Sequence, residues 1–223
     1  DAFLEKAGER IKVLFLCSPN NPVGNLVEPG EVVRVLEEWK GVVVVDEAYL
    51  EFSGESSLAG MVGKYPNLLV TRTLSKAFGA AGIRLGYVLA DPGIIQLFLK
   101  VKLPYNLSAM TQKAGIEALE DIQEAVDEID LILSERERIK GALEGIEGIE
   151  IVSDSRANFL LFRCPEAEAL YEELFRKGIV VRDRGTQYGL KGCLRVSVGT
   201  PEENDLFLME VERILGKLRE EAG

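Results

Sequence analysis

Val42-Val43-Val44-Val45-Asp46-Glu47-Ala48-Tyr49 decides the fold of this 223-residue chain, because an unbroken β-branched run ends abruptly in two acids. A strand without polar alternation is buried on both faces, as in parallel sheets covered by helices. Its polar residues gather at the carboxyl end, where open α/β sheets bind their ligands. Working outward, Lys12–Cys17, Asn67–Thr71 and Gly86–Ala90 read as further buried strands. Between the first two, Glu31–Trp39 places Val32, Val35, Leu36 and Trp39 on one helical face. The pattern is α/β with a mostly parallel sheet.

Beyond Leu107 the character changes. A long, charged, helical stretch runs to about Leu143, broken near Asp121, with apolar spacing at Leu131, Ile132 and Ile139. It reads as a connector. The remainder predicts strands at Ile149–Val152, Asn158–Phe162, Ile179–Val181 and Leu194–Val198, with helices at Glu166–Arg176 and Glu202–Leu218. This is the pattern of a small α+β domain. The expected boundaries are 1–120, a connecting helix at 121–145, and 146–223.

Composition narrows the function. A formal net charge of -11 argues against a nucleic-acid partner, whose binding draws on clustered Lys and Arg. Hydrophobic residues at 47% and charged residues at 28% fit a globular protein rather than a disordered one. No apolar run is long enough to cross a bilayer and no leader opens the chain, so a protein of the cytoplasm without membrane partners is expected. The three cysteines form no C-x-x-C pair, which points away from a disulfide framework or a zinc site. With no histidine, Ser-His-Asp and Cys-His nucleophile systems are excluded. Proton transfer must fall to Lys, Tyr, Asp, Glu or a cofactor.

Three strand ends carry candidate chemistry. Ser18-Pro19-Asn20-Asn21-Pro22-Val23-Gly24 is either a tight turn or a rigid mount for the Asn21 amide. Asp46 and Tyr49 are spaced to reach one ligand from a strand end, although an acid here also suits a helix N-cap. Thr71-Arg72-Thr73-Leu74-Ser75-Lys76 leads into a glycine-containing loop ending at Arg84. Alone, Lys76 reads as a solvated charge. Together, Thr73, Ser75 and Arg84 suggest a cup for one small phosphate beside an amine.

At this point S-P-N-N-P-x-G, D-E-A-Y, T-L-S-K with A-G-x-R-x-G-Y, and Cys193–Asn204 (C-L-R-V-S-V-G-T-P-E-E-N) resemble the fold-type I aminotransferases dependent on pyridoxal 5'-phosphate (PLP). Within that family the chain is most similar to the histidinol-phosphate aminotransferase-like subgroup. The resemblance implies the aspartate aminotransferase-like PLP-dependent transferase fold, with 1–120 as part of the large cofactor-binding domain and 146–223 as the small domain. It assigns Lys76 to a Schiff base with PLP and to proton transfer, Asp46 to the pyridine nitrogen, and Asn21 and Tyr49 to the phenolic oxygen. Thr73, Ser75 and Arg84 are assigned to the cofactor phosphate. Arg195 is assigned to a substrate carboxylate and Arg182 to a substrate phosphate; Asn158 and Tyr105 match positions near the substrate.

The implied activity is amino transfer between L-histidinol phosphate, or a similar donor, and 2-oxoglutarate in a homodimer. Aromatic aminotransferases and threonine-phosphate decarboxylases share these motifs, and a non-catalytic regulatory domain is the alternative from another class. The family also carries a long segment ahead of its S-P-N-N-P motif, which supplies a glycine-rich phosphate turn and an aromatic ring stacked on the pyridine. Only Asp1–Cys17 stands there in this chain. By itself it is expected to bind cofactor poorly.

Overall fold

The computed structural model describes residues 10–222, so the first nine residues of the expected 1–120 domain lie outside the described residues. The chain divides into two compact units. The first comprises the described residues up to Asn20 with Leu26–Asp127, and the second Asn21–Asn25 with Glu128 onward.

In the first unit, strands β1 (Val13–Cys17), β2 (Val42–Asp46), β3 (Leu68–Thr73) and β4 (Gly86–Ala90) form one sheet in that order. The first three run parallel and β4 is antiparallel to β3. Helix α1 (Pro29–Glu38) starts on a proline, which suits a first helical turn, and buries Val32, Val35 and Leu36. These pack with Leu16, Val43, Val45, Leu68 and Val70 from one sheet face. The mostly parallel α/β class is as expected.

The expectation that all these strands are buried does not hold. Phe15 of β1 is 70% exposed and Tyr87 of β4 is 47% exposed. The reason is one-sided cover. Helix α2 (Pro92–Val101), capped by the Asp91 carboxylate on the Gly93 N–H at 2.8 Å, lies along a groove of ~630 Å³ on the opposite face. Val13, Phe15, Val44, Val88, Leu97 and Phe98 line it. Helices α3 (Ala109–Glu120) and α4 (Ile122–Glu144) follow, and the break between them falls at Asp121, as the sequence suggests.

The second unit holds β5 (Glu150–Ile151), β6 (Phe159–Arg163), β7 (Arg182–Asp183) and β8 (Cys193–Ser197), in antiparallel order β5-β6-β8-β7. Its core joins Leu160, Phe162, Leu194 and Val196 to Ile139 and Leu143 of α4, Leu170 and Leu174 of α5 (Ala167–Arg176), and Phe207 and Val211 of α6 (Pro201–Ala222). Burial pushes the Cys164 thiol up to about 11, leaving it protonated at neutral pH.

The strand expected at Ile179–Val181 forms instead at Arg182–Asp183. Gly178, at φ +80°, turns the end of α5, and the Ile179 N–H donates to the Leu174 carbonyl at 2.9 Å. That backbone closes the helix and is not free to join a ladder.

Asn21–Asn25 joins this unit by contacts that no sequence pattern signals. The Ser153 hydroxyl donates to the Val23 carbonyl, and the Arg156 N–H donates to the Gly24 carbonyl at 2.8 Å. Gly24 has φ +86°, and a Cβ there would collide with Ser155, so this turn requires glycine. Among the described residues no helix is long and apolar enough to cross a membrane.

Candidate active site

In the first unit the site is built by strand alternation. Successive side chains point to opposite faces, so Val43, Val45 and Glu47 continue the face under α1, beside Leu68, Val70 and Arg72. Val44 and Asp46 continue the open face, beside Leu69, Thr71 and Thr73. The two acids therefore divide.

Glu47 is 1% exposed and fully engaged. It accepts from the Leu58 N–H at 2.7 Å and the Ser57 hydroxyl at 2.6 Å, and pairs with Arg72 at 3.3 Å. Burial weighs against a charge on Arg72, but the hydrogen bond to Glu51 and that carboxylate's charge, with smaller help from Tyr87 and Glu47, outweigh it, so its pKa is raised. Asp46 is only half-buried, and one of its oxygens accepts from the Ala48 N–H at 3.1 Å.

Tyr49 is buried, and the Lys76 ammonium nitrogen stands 5.3 Å from its ring centroid, within cation–π range. Ser75 donates its N–H to Thr73 Oγ1 at 3.1 Å, and the two hydroxyl oxygens are 2.9 Å apart. The Leu74 N–H donates to the Leu85 carbonyl at 3.1 Å, closing the loop and returning Arg84 to the end of β3. Arg84, with φ +57°, is exposed and donates to the Ala81 carbonyl at 2.9 Å. Tyr105, 97% exposed, lies on the segment between α2 and α3.

Within the second unit, Arg195 Nη1 donates to Asn21 Oδ1 at 2.6 Å, and its guanidinium carbon stands 5.0 Å from the Phe159 ring centroid. Arg182 is its direct partner in the β7–β8 register. Like charges opposite each other on a sheet repel, and anionic groups beside them relieve the repulsion. Asn158 is half-buried, with its carbonyl accepting from the Val198 N–H at 3.0 Å.

Each unit thus gathers its own share of the residues read from the sequence. One carboxylate, one phenol, one primary amine, two hydroxyls and a guanidinium sit at or near the ends of β2 and β3. A phosphorylated pyridine aldehyde needs those donor types, and PLP fits them. The sequence reading missed Glu51, Ser57 and Arg72, which form with Glu47 a connected set of ion pairs and hydrogen bonds. Their one signal is a charged residue, Arg72, between two threonines at the carboxyl end of β3.

The family model Aminotransferase class I and II matches residues 1–211. A histidinol-phosphate aminotransferase of Parabacteroides distasonis is 46% identical over 208 residues, taking in 93% of this chain and 60% of that protein. Another, of Flavobacterium johnsoniae, is 42% identical over 212 residues, taking in 95% and 61%. The structure of histidinol-phosphate aminotransferase from Sinorhizobium meliloti, in complex with pyridoxal-5'-phosphate, matches with TM-score 0.86 at 29% identity. That match covers 94% of this chain and 59% of the other. The chain spans about three fifths of the length of the curated relatives it matches.

Proposed function

The chain belongs to the aminotransferase class I and II family, and from that premise we propose that it serves a PLP-dependent transfer of an amino group from L-histidinol phosphate, or a similar donor, to 2-oxoglutarate. The observation that carries this reading is Lys76 over Tyr49, with Asp46 on the open face at the end of the neighbouring strand. When bound, the cofactor supplies an electron sink for negative charge at the donor's Cα.

The residues do the rest. Asp46 holds a proton on the pyridine nitrogen, and the Tyr49 hydroxyl and Asn21 amide donate to the phenolic oxygen. Lys76 would hold the cofactor at its aldehyde carbon, and its amine, when free, would move a proton to or from the donor's Cα. Thr73, Ser75 and Arg84 take the cofactor phosphate. In the second unit Arg195 takes a substrate carboxylate through its two-pronged fork and Arg182 a substrate phosphate, with Asn158 beside the substrate. Tyr105 is retained as a substrate contact on the family's pattern. The same reading takes the enzyme as a cytoplasmic homodimer.

The test is a donor panel with the protein expressed from its own gene, supplying 2-oxoglutarate and following glutamate. Histidinol phosphate should be used with a kcat/KM at least about tenfold above phenylalanine. Equal use of both would remove the phosphate specificity, and release of carbon dioxide from threonine phosphate would favour decarboxylation. No glutamate from any donor would reject amino transfer.

A further inference from the structure

Arg72 is half-buried where two strand ends meet, and the proposed chemistry gives it no task. Its side chain is 16% exposed, and it pairs with Glu47 at 3.3 Å through one terminal nitrogen and with Glu51 at 2.7 Å through the other. Those acids bracket Tyr49 in sequence, two residues to either side. The guanidinium is rooted on β3, four residues ahead of Lys76. Backbone pairing continues through this point, with the Glu47 N–H donating to the Thr71 carbonyl at 3.0 Å.

We propose that Arg72 is a positioning residue, clamping Glu47 and Glu51 so that Tyr49, in the turn that follows Asp46, is held in register with Lys76. The inference rests on the cofactor reading given above. A backbone bond alone fixes the start of the turn at Glu47. The second arm to Glu51 fixes its far side, so Tyr49 is held at both flanks from the strand that delivers Lys76. Lysine cannot reproduce this, because one ammonium point charge does not span two carboxylates as a planar fork does. Losing the arginine altogether leaves Glu47 buried without its counter-charge.

The test uses the protein expressed from its own gene, unaltered and as Arg72→Lys and Glu51→Gln. For Arg72→Lys, kcat should fall about tenfold to a hundredfold while the donor KM stays within about twofold, the mark of lost geometry rather than lost binding. The pH midpoint of the visible absorbance of lysine-bound cofactor should move alkaline, because a displaced Tyr49 hydroxyl no longer helps stabilise the phenolate. Glu51→Gln should move both readouts the same way by less, and it decides the matter if Arg72→Lys does not fold. A fall in Tm with kcat and midpoint unmoved would make the cluster a structural ion pair and overturn the proposal. Unaltered protein without lysine-bound cofactor would instead overturn the functional reading and this inference together.

Discussion

Strand β6 in the second unit and strand β1 in the first treat their two faces differently. Every residue from Phe159 to Phe162 is at most 1% exposed, whereas β1 sets Leu16 at 4% beside Phe15 at 70%. Leu160 and Phe162 pack against helices α4, α5 and α6, and a position packed to that density has no room for a reacting group. The first unit covers one sheet face with α1 and leaves the other as an apolar groove. Asp46 falls on that open face and Glu47 on the closed one, so adjacent acids acquire opposite surroundings from alternation alone.

The largest effect expected from this contrast is on stability. Phe162→Ala should cost about 3–5 kcal/mol by urea unfolding, because a fully buried ring leaves a cavity behind. Phe15→Ser in the 223-residue chain should change stability by no more than about 0.5 kcal/mol and lessen self-association. Comparable losses from the two would break the contrast.

A smaller effect is expected on acidification. Hydrogen bonding to Arg138 holds the Glu135 carboxyl below its ordinary value of 4.5, against burial and with help from Asn204. A depressed carboxyl adds stability that is full above the unfolded value and lost as pH falls through the folded one. Amide exchange in β6 and β8 should therefore speed up as pH drops below about 4.5, after correction for intrinsic rates, and less steeply in Glu135→Gln than in the unaltered chain. Parallel pH profiles for the two proteins would show that Glu135 carries no such linkage.

Much of the fold was legible because it rests on local pattern. The valine run of β2, the apolar face of α1 and the break at Asp121 each declare themselves within a few residues. Exposure of Phe15 and Tyr87 was not legible, since composition tells which residues are apolar and not which face finds cover. The strand placed at Ile179–Val181 failed because one helix-closing turn at Gly178 claims the Ile179 N–H. In the candidate site, Asp46, Tyr49, Thr73, Ser75 and Lys76 are read through motif spacing, and the structure sets them at or near the ends of β2 and β3. Arg72, Glu51 and Ser57 were missed because their partners are 25, 21 and 10 residues away, and such pairings leave no periodic trace.

The central claim is that Lys76 bonds the cofactor, and it is tested most directly by reductive trapping. The protein expressed from its own gene is incubated with PLP, reduced with borohydride and mapped by peptide mass spectrometry. The expected result is a single phosphopyridoxyl label on Lys76, absent from Lys76→Ala. Label on another lysine in its place, such as Lys102 or Lys113, or no lysine label at all, would contradict the account.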